Sequence, residues 1–141
     1  EITAYYKSSY TMMLTIPGIG PITAMGLLAE LGDLTRFKNP DEFASYLGLI
    51  PSEYRSGDTV YGVSIQPRCN MHLRPLLIEA AWFSIRKCPA LLDYYKKHVG
   101  KNNKKAIVKV ARKLALIMKS VSINQTPYHP LYISAIKKLA V

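Results

Sequence analysis

Ser56 stands in the run Tyr-Arg-Ser-Gly-Asp, with arginines at positions 55, 68 and 74 around it. A serine hydroxyl attacks a phosphodiester only if a base takes its proton and cations steady the charge that develops on phosphorus. Arg55, Arg68 and Arg74 answer the second need, because guanidinium forks match non-bridging phosphate oxygens. For the first, His72, Glu53 and Asp58 are the nearby candidates. Ser-Gly-Asp is also an ordinary turn signal. Ser52 and Ser64 offer the same hydroxyl chemistry, so the local residues favour a turn and leave a nucleophile open.

A second constellation is the run "LTIPGIGPITAMGLLAELG", residues 14–32. It reads as a helix-hairpin-helix: a Pro-Gly-x-Gly turn leading into a helix whose small residues, Ala24 and Gly26, face inward. Gly18 and Gly20 are expected to turn the backbone tightly with positive φ. The amides around Gly18, Gly20 and Ile22 would then point outward at a helix N-terminus, where unpaired N–H groups and the dipole favour a phosphate. A packing corner is the competing reading, and Pro21 removes one amide. A third constellation is the basic helix beginning at Lys104, with Lys105, Lys109, Arg112 and Lys113. Lys96, Lys97 and Lys101 precede it. Cations that neutralise phosphates release counterions and make binding depend on salt.

The charge of the whole chain sharpens this. The 141 residues carry 19 Lys/Arg against 9 Asp/Glu, a net charge of +10. Residues 1–70 hold 5 Lys/Arg and 7 Asp/Glu, whereas residues 71–141 hold 14 and 2. Such asymmetry is a footprint for a polyanion, most often nucleic acid. The length suits one domain able to bury a core without a metal or disulfide staple. Two cysteines, Cys69 and Cys88, make no framework and read as free thiols of a reducing compartment rather than a bridge. With His72, His98 and His129 they show no paired zinc-ligand spacing. No apolar run reaches the roughly 18 residues of a membrane span, and no signal peptide opens the chain. It begins at Glu1, in what reads as the tail of a helix, so a fragment of a longer protein is expected.

The elements that must position these residues are mainly α-helical. Helices are expected over Glu1–Leu14, over Ile22–Leu31 with Ile22, Met25, Leu28 and Ala29 on one side, and over Pro40 to Gly48. Gly32 caps the second, while Asn39, Pro40, Glu42 and Gly48 delimit the third. A long apolar helix follows from Met71 or Arg74 to Lys87, with Pro75 in its first turn, and another runs from Pro89 to Gly100. Lys104–Val121 is amphipathic: Ile107, Val110, Ala111, Leu114 and Ile117 should be buried, and Lys109, Arg112, Lys113 and Lys119 should face out. Leu131–Leu139 is expected to form a short terminal helix. Residues 50–68 form the one irregular, or short hairpin-like, loop.

The order of motifs in "LTIPGIGPITAMGLLAELGDLTRFKNPDEFASYLGLIPSEYRSGDTVYGVSIQPRCNMHLRPLLIEAAW" resembles the C-terminal domain of DEDD-type insertion-sequence transposases, which are related to the pilin-gene DNA invertases. "KKAIVKVARKLALIMKSV" followed by "PYHP" looks like that family's closing helix and Tyr-containing end. The likeness covers about Leu14 to Tyr128. It implies DNA recombination by two domains. An N-terminal RuvC-like domain, outside this sequence, holds a divalent metal such as magnesium with four acids; the C-terminal domain supplies a serine that links covalently to DNA. That serine maps to Ser56. Two departures stand out. Asp58 occupies the place of a second glycine after Ser-Gly, and Pro67-Arg68-Cys69-Asn70 replaces a Lys-Arg-Gly-Asn run.

The expectation is therefore a single C-terminal transposase domain. It comprises a helix-hairpin-helix (14–32), a Ser-Gly loop (50–70), a basic helical half (71–121) and a tail (122–141). DNA is its partner. The resemblance also implies a structured guide RNA, a homo-oligomer in the full-length protein, and a bacterial cytoplasmic, nucleoid-associated setting with no membrane contact. No metal or cofactor is expected within these residues, and the chain alone should not transfer strands. The alternative is a non-catalytic DNA- or RNA-binding module in which Ser56 only turns the chain.

Overall fold

Apolar residues at three- and four-residue spacing make the longest helix the axis of the molecule. The computed structural model describes residues 2–49, 71–100 and 102–129. Among these it has six α-helices and no strand: α1 (Ile2–Met13), α2 (Pro21–Leu31), α3 (Pro40–Tyr46), α4 (Leu73–Lys87), α5 (Pro89–His98) and α6 (Asn103–Asn124). A 3₁₀ turn, Leu34–Arg36, joins α2 to α3. The mainly α fold follows the sequence pattern, while the expected loop over 50–68 and helix over Leu131–Leu139 lie outside the described residues.

In α6 the side chains of Ile107, Val110, Ala111, Leu114, Ile117, Met118 and Val121 are buried. This stripe lets α6 touch α1, α3, α4, α5 and the 3₁₀ turn. Asn102 starts the helix by accepting from the Lys104 amide at 2.9 Å. Gln125, in the left-handed region at φ 54°, ends it three residues beyond the expected Val121. Helix α4 buries Leu73, Leu77, Ala80, Ala81, Ser84 and Ile85 against this axis. Cys88 is extended at the α4–α5 corner, as a residue preceding proline must tend to be.

Helix α1 docks on the end of α6 through a polar seam. Ser9 and Ser122 are fully buried. Ser122 donates to Ser9 at 2.9 Å, Tyr5 shares a bond with Ser122 at 3.0 Å, and Gln125 Nε2 donates to Ser9 at 3.1 Å. Buried hydroxyls cost stability unless paired, and here the two elements satisfy each other.

Helix α2 corrects one expectation. Its buried face is Ala24, Leu27, Leu28 and Leu31, whereas Ile22, Met25 and Ala29 are exposed. Ala24, Leu27, Leu28 and Leu31 form the larger apolar stripe at three- and four-residue spacing, and that side packs. Gly26 lets α2 pass close to α4, since a Cβ there would stand 3.1 Å from Leu76 Cδ1. Both helix ends follow their signals. The Gly32 amide donates to Leu28 O at 2.9 Å with φ 67°, and Asn39 Oδ1 accepts from the Asp41 amide at 2.8 Å.

Candidate nucleic-acid interface

The Pro17–Pro21 turn separates the roles of its two glycines. Gly18 has φ +95°, and a Cβ on it would meet Ser84 Oγ at 2.2 Å and Ser84 Cα at 2.7 Å. Ser84 is fully buried and donates to Pro17 O at 2.8 Å. The turn is thus seated on α4 at Gly18. Gly20 does not take the expected positive φ. It is the extended N-cap of α2, at φ −102° and ψ 179°, with nothing within 4 Å of a Cβ position. A proline at the next position favours this extended conformation. Gly20 offers no side-chain cap to the α2 N-terminus, and Ile22 beside it is 75% exposed.

The basic helix is less open than its composition implies. Lys104 and Lys105 are exposed in its first turn, and Lys96 and Lys97 are exposed at the end of α5. Lys109 is half-buried. Lys113, expected to face out, is only 8% exposed, because its Nζ lies 4.3 Å from the centre of the Tyr94 ring on α5. Such a contact between an ammonium and an aromatic face is attractive. Arg112 donates through Nη2 to Asp41 Oδ1 in the first turn of α3. Lys119, also expected outside, donates to Phe37 O and sits over the Phe43 ring. Burial lowers the Lys119 pKa, and Glu42 partly restores it. Burial pushes the Tyr94 hydroxyl upward, an effect that Lys109 and Arg112 partly offset. Arg112, Lys113 and Lys119 thus serve contacts within the fold. Sequence spacing carried no signal for Asp41 and Glu42 as their partners, because α3 and α6 are distant in the chain.

Ser56, Arg55 and Arg68 lie outside the described residues, as do Glu53, Asp58, Cys69 and the comparison serines Ser52 and Ser64. The residues flanking them are placed. Leu49 and Leu73 are buried in the core, and Arg74 Nε donates to Gly48 O at 3.0 Å. Gly48 takes φ 71° at the end of α3. Arg74 therefore ties the chain before residues 50–70 to the helix after them. Its guanidinium, anticipated as a phosphate ligand, has this structural partner on one edge. His72, the N-cap residue of α4, is exposed.

Cys88 is a buried free thiol within 3.3 Å of the Tyr128 hydroxyl. The Tyr128 amide donates to Thr15 Oγ1 at 2.8 Å, which brings the chain after α6 back to the α1–α2 turn. Burial, then the bond to Cys88, pushes the Tyr128 hydroxyl above the ordinary tyrosine range. Among the described residues no three His, Cys, Asp or Glu converge as a metal site. None of the described helices is long and apolar enough to cross a membrane.

A family model described as the transposase IS116/IS110/IS902 family matches residues 10–96 of this chain. The chain belongs to that family. The match takes in the Pro17–Pro21 turn, α2 to α4 and residues 50–70, and it ends before α6. Among curated relatives, the pilin gene-inverting protein of Moraxella lacunata is 33% identical over 127 residues, 87% of this chain and 39% of that protein. A probable family 20 transposase of Pseudomonas aeruginosa is 36% identical over 81 residues, 57% of this chain and 24% of its own length. The transposase for insertion sequence element IS1111A of Coxiella burnetii is 36% identical over 67 residues, 48% and 18% respectively. The transposase-family chain thus spans well under half the length of these relatives. No solved structure matches it.

Proposed function

We propose that this chain is the C-terminal, DNA-engaging domain of an insertion-sequence transposase that cuts and rejoins DNA, with Ser56 as its nucleophile. The observation that carries the reading is the family match over residues 10–96, which includes the Ser-Gly pair at 56–57. The relatives named for inverting a pilin gene and for transposing insertion sequences both rearrange DNA, and that shared task is the one proposed here.

Strand breakage and rejoining by a serine conserves bonds. The Ser56 Oγ–phosphorus bond forms as the phosphorus–sugar oxygen bond breaks, the serine proton leaves to a base, and the freed sugar hydroxyl takes up a proton. The reverse attack by another sugar hydroxyl restores a phosphodiester and the serine. Because one phosphoester replaces another, no external energy source is required. Arg55 and Arg68 are placed by sequence to steady the phosphoryl oxygens. Gly18, Gly20, Ile22, Lys104, Lys105 and Lys109 are proposed to approach the backbone of the duplex, with Arg112 and Lys113 contributing charge from within their contacts and Arg74 tying Gly48 to α4 rather than binding phosphate. A divalent metal such as magnesium, bound by acids of an N-terminal domain outside this chain, would polarise phosphoryl oxygens. The described residues provide no donor set for it. A structured guide RNA and a homo-oligomeric assembly in a bacterial cytoplasm complete the proposal.

The test uses the full-length protein and a labelled DNA substrate. Ser56→Ala is expected to abolish the denaturation-resistant protein–DNA adduct and recombination while leaving DNA binding and folding near wild type. Ser52→Ala and Ser64→Ala are expected to retain both. An undiminished adduct in Ser56→Ala would leave the serine a turn residue and favour a non-catalytic binding module.

A further inference from the structure

The acidic first turn of α3 faces the basic side of α6. Asp41 is 73% exposed on its side chain and Arg112 is 24% exposed, so the pair sits at the edge of the protein, open on the carboxylate side. The bond runs from one guanidinium nitrogen, Nη2, to one carboxylate oxygen, Oδ1. Arg112 lies three residues from Lys109 on α6 and directly before Lys113. Lys109 and Arg112, three apart, are neighbours on the helix surface, whereas Lys113 turns to α5. Behind them the Tyr94 ring holds Lys113 at 4.3 Å, which keeps that charge fixed beneath the surface. Asp41 thus meets one cation of this helix, Arg112, through an exposed carboxylate.

We propose that Asp41 is a built-in competitor for nucleic acid: its carboxylate occupies Arg112 until a backbone phosphate takes its place. Carboxylate and phosphodiester each present two oxygens to a guanidinium fork, and the single Nη2–Oδ1 bond to Asp41 leaves that fork only partly used. An exposed pair of this kind is weak, so a phosphate displaces it readily. Asn39 holds the Asp41 backbone amide, so the displaced carboxylate stays tethered beside Arg112 and can return. Asp41 would then set how firmly the domain holds any duplex, independently of sequence. The proposal rests on the reading of the basic half as a nucleic-acid surface.

The experiment measures binding of the 141-residue chain to a fluorescein-labelled DNA duplex of arbitrary sequence across a salt series. Circular dichroism checks each variant's fold. Asp41→Asn is expected to raise affinity by about 2–5-fold, the scale of a weak exposed ion pair. Arg112→Gln should lower affinity and reduce the slope of log affinity against log salt by about 0.9. In the Asp41→Asn, Arg112→Gln double variant the gain from Asp41→Asn should vanish, because there is no guanidinium left to compete for. Glu42→Gln, the same charge change one residue on, should leave affinity close to wild type. A gain that persists without Arg112, or an equal gain from Glu42→Gln, overturns the competition while leaving duplex binding intact. Absence of duplex binding by every variant at low salt would overturn the underlying reading and this proposal with it.

Discussion

Replacing Gly18 by alanine should be among the costliest single-atom additions in this domain. At φ +95° a side chain is strained before any neighbour is counted, by about 1–2 kcal/mol. The new Cβ would also lie 2.7 Å from Ser84 Cα and N, and 2.2 Å from Ser84 Oγ. Backbone atoms in the last turn of α4 cannot swing away as a flexible side chain can. Forcing the turn off α4 adds about 1–3 kcal/mol of overpacking and weakens the 2.8 Å bond from Ser84 to Pro17 O by about 1 kcal/mol. The sum is about 3–6 kcal/mol, a large share of the roughly 5–15 kcal/mol that holds a domain. Urea unfolding followed by circular dichroism should show a midpoint lower by roughly 2 M with little change in slope. Gly20→Ser is the internal contrast. Its extended N-cap geometry and open surroundings suit serine, whose hydroxyl can accept from an α2 amide, so stability should hold or rise by a few tenths of a kcal/mol. A wild-type midpoint for Gly18→Ala, or an equal loss for Gly20→Ser, would refute the claim that the turn is seated on α4 through Gly18.

Other expectations follow from the placed contacts. Arg74→Ala should cost about 1–2 kcal/mol, by loss of the partly buried bond to Gly48 O, with the salt slope of duplex binding unchanged. A slope reduced by about 0.9 at unaltered stability would instead make Arg74 a phosphate contact. Tyr128 has a folded pKa raised above its unfolded value, so its contribution is fully present below about pH 10 and is lost as pH climbs beyond that. Stability measured from neutral to strongly alkaline pH should therefore fall less steeply above that point in Tyr128→Phe than in the wild-type chain. Matching pH slopes for the two would show that Tyr128 is not held neutral by the fold.

Local pattern carried the helices because their signals are local. Asn39-Pro40 starts α3, Gly32 ends α2, and the stripe from Ile107 to Ile117 marks the buried side of α6. Contacts that decide what a side chain is for join residues far apart in the chain. Ser84 reaches Pro17 across 67 positions, and Arg112 reaches Asp41 across 71. Nothing within a single helix announces either partner. Periodicity placed Ile22 and Met25 with Leu28, but the side that packs runs through Ala24, Leu27, Leu28 and Leu31 and leaves the other two exposed. The same limit affects charge. Counting cations along residues 71–141 treats each as available, whereas Arg112, Lys113 and Lys119 are engaged by Asp41, Tyr94 and Phe37 O. These contacts fasten α3, α5 and the 3₁₀ turn to α6, so the helix that looked most like a ligand surface is also the axis of the fold. Its exposed charge lies toward its start, at Lys104 and Lys105, with Lys96 and Lys97 ending the helix before it. A duplex drawn to that end would meet four exposed lysines, and would reach Arg112 only by displacing Asp41. Affinity from the first group and adjustment from the second are separable, because neutralising the lysines should flatten the salt dependence while changing Asp41 should shift affinity at nearly constant slope.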